Sequence, residues 1–230
     1  MKHVLFICSV LLLIAGGLSA QMKLIGMKGD VAIRHGVSEQ WVAVAQGDVL
    51  KPEDSIRLGK KASATVMTEN NVKLQIPEMT VLDLSDLRML TQEELLLKLA
   101  MERVRIVPDQ GRENDFHIPR TTTVHGSNMG GVHAAVSSNS NAGVMQLNGA
   151  RVLYNNGYYA TSVIRAKEVF RLAPETAGII DARLIVASAL EKLSVKGEAL
   201  TEYTEIAKEN LSSAQRTLVE GRIAQLKNSR

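Results

Sequence analysis

Cysteine is almost absent from this chain of 230 residues, in which Cys8 is the only one. Cys8 lies in an apolar run and follows large residues, so it does not make a convincing lipid-attachment site. The rest of the chain has no thiol, which excludes disulfides, thiolate metal sites and cysteine nucleophiles. The fold must therefore be stabilised by packing and by secondary structure.

Aromatic residues are also scarce, at 3% of the chain, and Trp41 is the single tryptophan. So few rings cannot form a base-stacking surface or a sugar-binding platform. The charge is nearly balanced as well, because 27 basic and 24 acidic residues leave a net charge of +3. Proteins that bind nucleic acid usually concentrate much more positive charge. We therefore expect no nucleic-acid partner.

Enzyme motifs are missing from the sequence. It contains no Gly-x-Ser-x-Gly elbow and no His-Glu-x-x-His motif, and Asp83 and Asp86 have no recognisable partner for acid–base chemistry. Gly130-Gly131 and residues 137–143 lack the Lys-Ser/Thr ending and the preceding strand of a phosphate-binding loop. We predict a protein that is not an enzyme, with no catalytic residues and no cofactor.

Three histidines, His117, His125 and His133, are spaced by eight residues. A metal usually collects ligands at closer spacing on a rigid element, with help from carboxylates or thiolates. Asp115 is the only acid nearby. We therefore favour histidines in a loop over a metal site.

The first 20 residues have the three-part layout of a secretory signal peptide. Lys2 and His3 precede an apolar run over residues 4–15, and small residues follow it. The run is shorter than the roughly 20 residues that cross a bilayer. We predict a signal peptide over 1–20, a mature chain that begins near Gln21, and a periplasmic or secreted location. Because Leu18 is larger than a signal peptidase prefers, a cut after Ser19 and retention as an uncleaved membrane anchor stay open.

Residues 21–90 show the period-two alternation of antiparallel strands, separated by Gly, Asn and Asp. The clearest pair is 62–68 and 72–76, joined by a turn in which Asn71 can accept a positive φ. Pro77 is expected to end the second strand before another runs over 80–84. Trp41 could be an exposed aromatic anchor, but alternating strands more often bury such residues, so we expect it in the core.

Helical spacing begins at Thr91, where Thr91 and Glu94 form a capping box for an amphipathic helix within 91–107. Residues 108–148 are rich in Gly, Ser and Asn, which predicts a loop or linker. Helical spacing returns over 149–228, with turns expected at Gly157, Pro174 and Gly197. The apolar stripes that contain Tyr159, Phe170 and Tyr203 are predicted to be core.

Six residues of the β region carry a family pattern: Gly29-Asp30-Val31-Ala32-Ile33-Arg34. They resemble the Gly-x-Val strand that opens a FecR-like domain, a small exported β-fold. The family's later strands and turns are similar in order and spacing to residues 47–50, 54–59, 62–67, 72–76 and 81–84, and its last segment resembles 116–121 and 124–127. Departures from the family pattern occur at Glu53, Leu58, Asn71 and His125.

The best-known FecR-like proteins carry a cytoplasmic anti-sigma segment and a transmembrane helix before this domain, and they relay a signal from an outer-membrane receptor. We expect neither element here, because a signal peptide stands in their place. The resemblance thus implies the extracytoplasmic fold and a role in binding a partner, without transcriptional control.

The C-terminal helices carry a second pattern, in Gly157, Tyr159, Ser162, Ala166, Val169 and Pro174. It resembles a tetratricopeptide repeat, and a looser unit follows at 182–207. Inner helices of such repeats would line a concave groove for a peptide or a partner helix.

The fold class expected is α+β multidomain, with a small antiparallel all-β FecR-like domain followed by α-helical hairpins that resemble tetratricopeptide repeats. The expected function is non-catalytic binding or scaffolding of envelope or surface proteins in the bacterial envelope. The alternative is a ligand-sensing or cell-wall-sensing module of an envelope signalling system. The sequence leaves the oligomeric state open.

Overall fold

A computed structural model of the protein describes residues 21–106 and 140–228, without the side chains of residues 102–106 and 140. The signal peptide over 1–20, the three spaced histidines, the Gly130-Gly131 pair and the later FecR-like segment lie outside these ranges. None of the helices in the described ranges is both long and apolar enough to cross a membrane.

Eight short strands in the described part of the chain form two four-stranded sheets. The strands are β1 (Met22–Lys28), β2 (Val31–Arg34), β3 (Val42–Ala43), β4 (Val49–Leu50), β5 (Ser55–Leu58), β6 (Ser63–Met67), β7 (Lys73–Ile76) and β8 (Thr80–Asp83). The first sheet has the order β4-β1-β6-β7, and the second has the order β3-β2-β5-β8. All neighbouring strands are antiparallel. Apolar side chains from both sheets form one shared core.

The predicted hairpin of β6 and β7 is confirmed, with Asn71 at φ 58° in its turn. Leu74 and Ile76 are buried on one face, as their alternation predicts. Val72 departs from the pattern because it lies before the strand begins, and it is 48% exposed. The strand ends before Pro77 and the next begins at Thr80, as expected.

Within the described ranges six α-helices follow the sheets, so the fold is of the α+β class. They are α1 (Gln92–Ile106), α2 (Ser140–Asn155), α3 (Tyr159–Leu172), α4 (Ile180–Lys192), α5 (Lys196–Ile206) and α6 (Ser213–Asn228). From α2 onward each helix packs on the next, and α1 packs on α3. The capping box at the start of α1 is confirmed, because the amide of Glu94 donates to Thr91 Oγ1 at 3.1 Å and the amide of Thr91 donates to Glu94 Oε2 at 2.8 Å.

Two of the three expected turns between helices are present. Gly157 adopts φ 84° between α2 and α3, and Pro174 opens a 3₁₀ turn, Pro174–Gly178, before α4. The expectation for Gly197 is wrong, because this residue lies inside α5 and Ser194, at φ 60°, makes the turn. Tyr203 is buried in the helical core, and Tyr159 and Phe170 pack partly buried against it, as predicted.

The expected linker over 108–148 is wrong for its last nine residues, because α2 begins at Ser140. Gly143, inside the expected linker, and Gly149, at the expected start of the helices, both permit close packing here. A Cβ atom on Gly149 would lie 2.1 Å from the carbonyl oxygen of Val81, and one on Gly143 would lie 2.8 Å from Thr176 Cγ2. Tertiary packing therefore stabilises a helix that local propensity disfavours.

The helix α2 contributes to both apolar cores of the chain. Val152 and Leu153 pack among the strand residues, whereas Leu147 and Ala150 pack among the other helices. A domain boundary at residue 149 would fall inside this helix. The β part and the helical part therefore meet along one shared element rather than across a linker.

Candidate functional site

A surface groove of about 400 Å³ lies between the second sheet and the N-terminal half of α2. We call it the arginine–tryptophan groove and define it by six lining residues: Arg34, Trp41, Arg57, Met145, Gln146 and Gly149. The sheet supplies its charged and aromatic side, and α2 supplies its other side.

The two arginines reach the groove because of strand alternation. Ile33 and Ile56 point into the core, so Arg34 on β2 and Arg57 on β5 point to the opposite face of the sheet. The register places Arg57 opposite Ala32 on one side and Val81 on the other, next to the strand that α2 covers.

Trp41 lines this groove, is half-buried and belongs to neither apolar core, so the prediction that it packs in the core is wrong. Its ring centroid lies 4.8 Å from Cζ of Arg57 and 5.2 Å from Cζ of Arg34, within the range of cation–π attraction. The Trp41 ring therefore contacts two guanidinium groups instead of packing in an apolar core. Nearby, Val44 is buried and Val42 is 41% exposed.

Hydrogen bonds fix Arg34 more firmly than Arg57. Nη2 of Arg34 donates to Ser55 Oγ at 3.1 Å, and that hydroxyl donates to Asp83 Oδ1 at 2.5 Å. Among the residues that the structure describes, no carboxylate pairs with Arg57. The groove therefore combines a fixed cation, an aromatic ring and a cation that can pair with an incoming acidic group.

Asp83, Asp86 and Arg165 of α3 also line the groove, and they meet in what we call the Arg165 cluster, together with Glu168. Nε of Arg165 donates to Asp86 at 2.8 Å, Nη1 donates to Glu168 at 3.1 Å, and Nη2 donates to Asp83. Asp83 and Asp86, which the sequence left without a partner, are thus held by one guanidinium. The arrangement ties the end of β8 to α3.

The charges of the Arg165 cluster shift two pKa values, that of Asp86 and that of Arg165 itself. The pKa of Asp86 is raised, mainly by burial and in smaller part by the negative charges of Asp83 and Glu168. The charge and the hydrogen bond of Arg165 lower this pKa, but they do not cancel the effect of burial. Burial acts to lower the pKa of Arg165, but the three carboxylates outweigh it, so the pKa of this guanidinium lies above its usual value. Arg165 therefore stays charged. The cluster has excess negative charge, which Arg34, 3.9 Å from Asp83, partly offsets.

A second groove, of about 570 Å³, lies on the other side of α2, against β7. We call it the β7 groove. Four of its lining residues are Lys73 and Gln75 on the strand and Arg151 and Asn155 on the helix. Its lining has no aromatic side chain, whereas Trp41 lines the first groove.

Within the described ranges, no group of three His, Cys, Asp or Glu side chains could hold a metal ion. One histidine there has a charged partner that the sequence did not reveal. Nδ1 of His35 lies 2.9 Å from Oδ1 of the buried Asp54, whose Oδ2 accepts the amide of Lys51 at 2.9 Å. This contact anchors the turn before β5 and lies outside both grooves.

Comparisons with protein-family models, with characterised proteins and with solved structures find no significant match to this chain. The FecR-like and tetratricopeptide-like resemblances therefore stay predictions. What the chain binds has to be argued from its own residues.

Proposed function

We propose that this chain is a non-catalytic binding or scaffolding protein that acts outside the cytoplasm and contacts an envelope or surface protein through the arginine–tryptophan groove. The observation that carries the proposal is the half-exposed Trp41 between Arg34 and Arg57. Tryptophan and arginine are the residue types most enriched among the energetic hot spots of protein interfaces. A groove that groups them offers an anchor for a partner.

The geometry also supports binding by reducing its entropic cost. Arg34 is held by Ser55, and Trp41 is held by two guanidinium groups, so few side chains have to be ordered when a partner arrives. Arg57 can form a charge-assisted hydrogen bond with an acidic side chain of that partner. We therefore expect the partner to present an acidic and apolar segment to the groove.

The scaffolding part of the proposal rests on the shared helix α2. Because α2 packs in both cores, a partner on the sheet and a partner on the helices would be held in a fixed relation. The order of a β part and then helical hairpins agrees with the FecR-like and tetratricopeptide-like assignments. Both assignments belong to this proposal, and relatives of both kinds bind proteins.

The extracytoplasmic location is a prediction from the first 20 residues. Expressed with these residues in a Gram-negative host, the protein should be recovered outside the cytoplasm and shortened to begin near Gln21. Mass spectrometry of the periplasmic and medium fractions measures this. Full-length protein that stays in the cytoplasm would contradict the predicted location.

Changing Trp41→Ala together with Arg57→Glu should reduce partner recovery from solubilised envelope fractions by about 30-fold or more, because hot-spot residues each contribute about 2 kcal/mol. Quantitative mass spectrometry of the captured proteins checks it. A matched control is Leu218→Ala with Arg216→Glu, two exposed positions on α6. Equal recovery with both double variants would count against this groove as the binding site.

The unpaired Arg57 also favours a second candidate function, in which the groove senses an anionic cell-wall fragment. Such a ligand would bind to this chain in the absence of any partner protein. Saturable binding of purified wall polysaccharide, lost in Arg57→Glu, would favour sensing over protein binding. Binding of wall polysaccharide that does not saturate would rule out this sensing function.

A further inference from the structure

The strand β7 forms one edge of the first sheet, and half of its backbone groups point away from that sheet. The amide of Thr68 donates to the carbonyl of Val72, and antiparallel ladders alternate between bonded and non-bonded pairs. Leu74 and Ile76 therefore bond to β6. The amide and carbonyl groups of Lys73 and Gln75 face outward from the edge.

The other sheet edges in the described part of the chain are short or covered. The edge strands β3 and β4 have two residues each. The edge strand β8 lies under α2, where Nδ2 of Asn148 donates to the carbonyl of Met79 at 2.7 Å and Gly149 contacts Val81. Among the described edges, β7 is thus the one with room and length for another strand.

Unpaired polar side chains surround this edge in the β7 groove. Among the described residues, Lys73, Gln75, Arg151 and Asn155 have no hydrogen-bond or ion-pair partner through their side chains. The acid that lines the groove, Glu78, accepts a hydrogen bond from the amide of Lys61, and no ion pair joins it to Lys73 or Arg151 among the described residues. The described lining thus carries two cations and one acid, which leaves a net positive charge beside an open strand edge.

A lysine on an edge strand ordinarily discourages pairing with other strands. Here Arg151 adds a second cation from the facing helix. Basic strands are repelled by this pair, whereas a strand with acidic side chains is attracted to it. The charge thus selects one kind of strand instead of excluding all of them.

We propose that an extended acidic segment of a partner protein binds in the β7 groove as a fifth strand of the first sheet. Its backbone pairs with the outward groups of Lys73 and Gln75, and its carboxylates pair with Lys73 and Arg151. A segment of about four residues spans these groups, and this mode of recognition adds a strand to an exposed sheet edge. The site extends the proposed binding function to a second surface and does not depend on Trp41.

A short peptide tests the proposal directly. The probe is acetyl-Val-Asp-Val-Asp-Val-amide, titrated to about 1 mM, the weak end of specific affinities, into the isotope-labelled full chain. We expect saturable amide shifts at Lys73 and Gln75. A peptide with an N-methyl group on every backbone amide should not bind, because it has no amide hydrogen to donate to the ladder, and a peptide with lysine in place of aspartate should not bind either.

Charge reversal tests the electrostatic part. The double variant Lys73→Glu with Arg151→Glu should weaken the binding of the aspartate peptide by about tenfold or more. The control, Lys192→Glu with Lys227→Glu, reverses two exposed charges on α4 and α6 and should bind normally. Circular dichroism of each variant confirms that it is folded.

Three results would overturn the proposal: no saturable shift at Lys73 and Gln75, equal binding of the N-methylated peptide, or equal binding by the Lys73 and Arg151 charge-reversal variant. The Trp41→Ala with Arg57→Glu variant should bind the peptide like the unchanged protein. This comparison separates failure of the β7 site from failure of the arginine–tryptophan groove.

Discussion

Replacing Gly149 with alanine is expected to lower the free energy of unfolding by about 3 kcal/mol, the upper part of the usual range for overpacking. The added Cβ would lie 2.1 Å from the carbonyl oxygen of Val81, an atom of the backbone that cannot rotate away. Alanine favours a helix over glycine by about 1 kcal/mol, which offsets only part of this cost. Chemical denaturation of the purified protein measures the difference.

The matched control for this change is Gly221→Ala on α6. A Cβ atom there meets nothing within 4 Å, so the same substitution should stabilise the protein by about 0.5–1 kcal/mol. The two variants therefore have opposite signs. Equal stability of Gly149→Ala and Gly221→Ala would contradict the contact between α2 and β8, and with it the packing of α2 in both apolar cores.

Replacing Arg165 with methionine is expected to lower the free energy of unfolding by about 3 kcal/mol, because removing one partner leaves buried charges uncompensated. Asp83, Asp86 and Glu168 would then share a half-buried space without their cation. The control is Lys208→Met, which breaks an exposed pair with Glu205 on the surface. Loss of that pair should cost less than about 1 kcal/mol.

The loss of stability in Arg165→Met should also depend on pH, and the raised pKa of Asp86 determines the direction of this dependence. The pKa of Asp86 is raised in the folded state, so protonation favours folding, and this contribution fades as the pH rises through the folded-state pKa. Without Arg165 the pKa rises further. The variant should therefore be destabilised more at pH 7 than at pH 4, and an equal loss at both values in urea denaturation would contradict the cluster.

The β part could be predicted in detail because its signals are local. Alternation over 72–76, the Asn71 turn and Pro77 act within a few residues, and the structure has the hairpin and the strand end where these residues place them. The capping box of α1 is local in the same sense. Such features depend on neighbours in the sequence and not on the rest of the fold.

The helix α2 could not be predicted as a whole because its stability comes from distant contacts. Gly149 meets Val81 across 68 positions of the chain, and Gly143 meets Thr176. Read alone, a stretch with Gly, Ser and Asn favours a loop. The packing that favours a helix becomes visible only when the strands and the later helices are in place.

The candidate site was missed for a related reason. Alternation could have indicated that Arg34 and Arg57 share the outward face of a sheet, but nothing in the sequence places Trp41 between them. That placement depends on the strand order β3-β2-β5, which brings three separate segments together. Arg165 lies still further along the chain, and its pairing with Asp83 and Asp86 has no local signal.

Site-specific photo-cross-linking in intact cells tests most directly whether the arginine–tryptophan groove contacts a partner. Benzoylphenylalanine at Gln146, a partly buried residue that lines the groove, is compared with the same group at Leu218, which is 48% exposed on α6. We predict a discrete protein adduct from position 146 that disappears in Arg57→Glu and is absent from position 218. The absence of any adduct from position 146, or identical adducts from both positions, would contradict the proposed function.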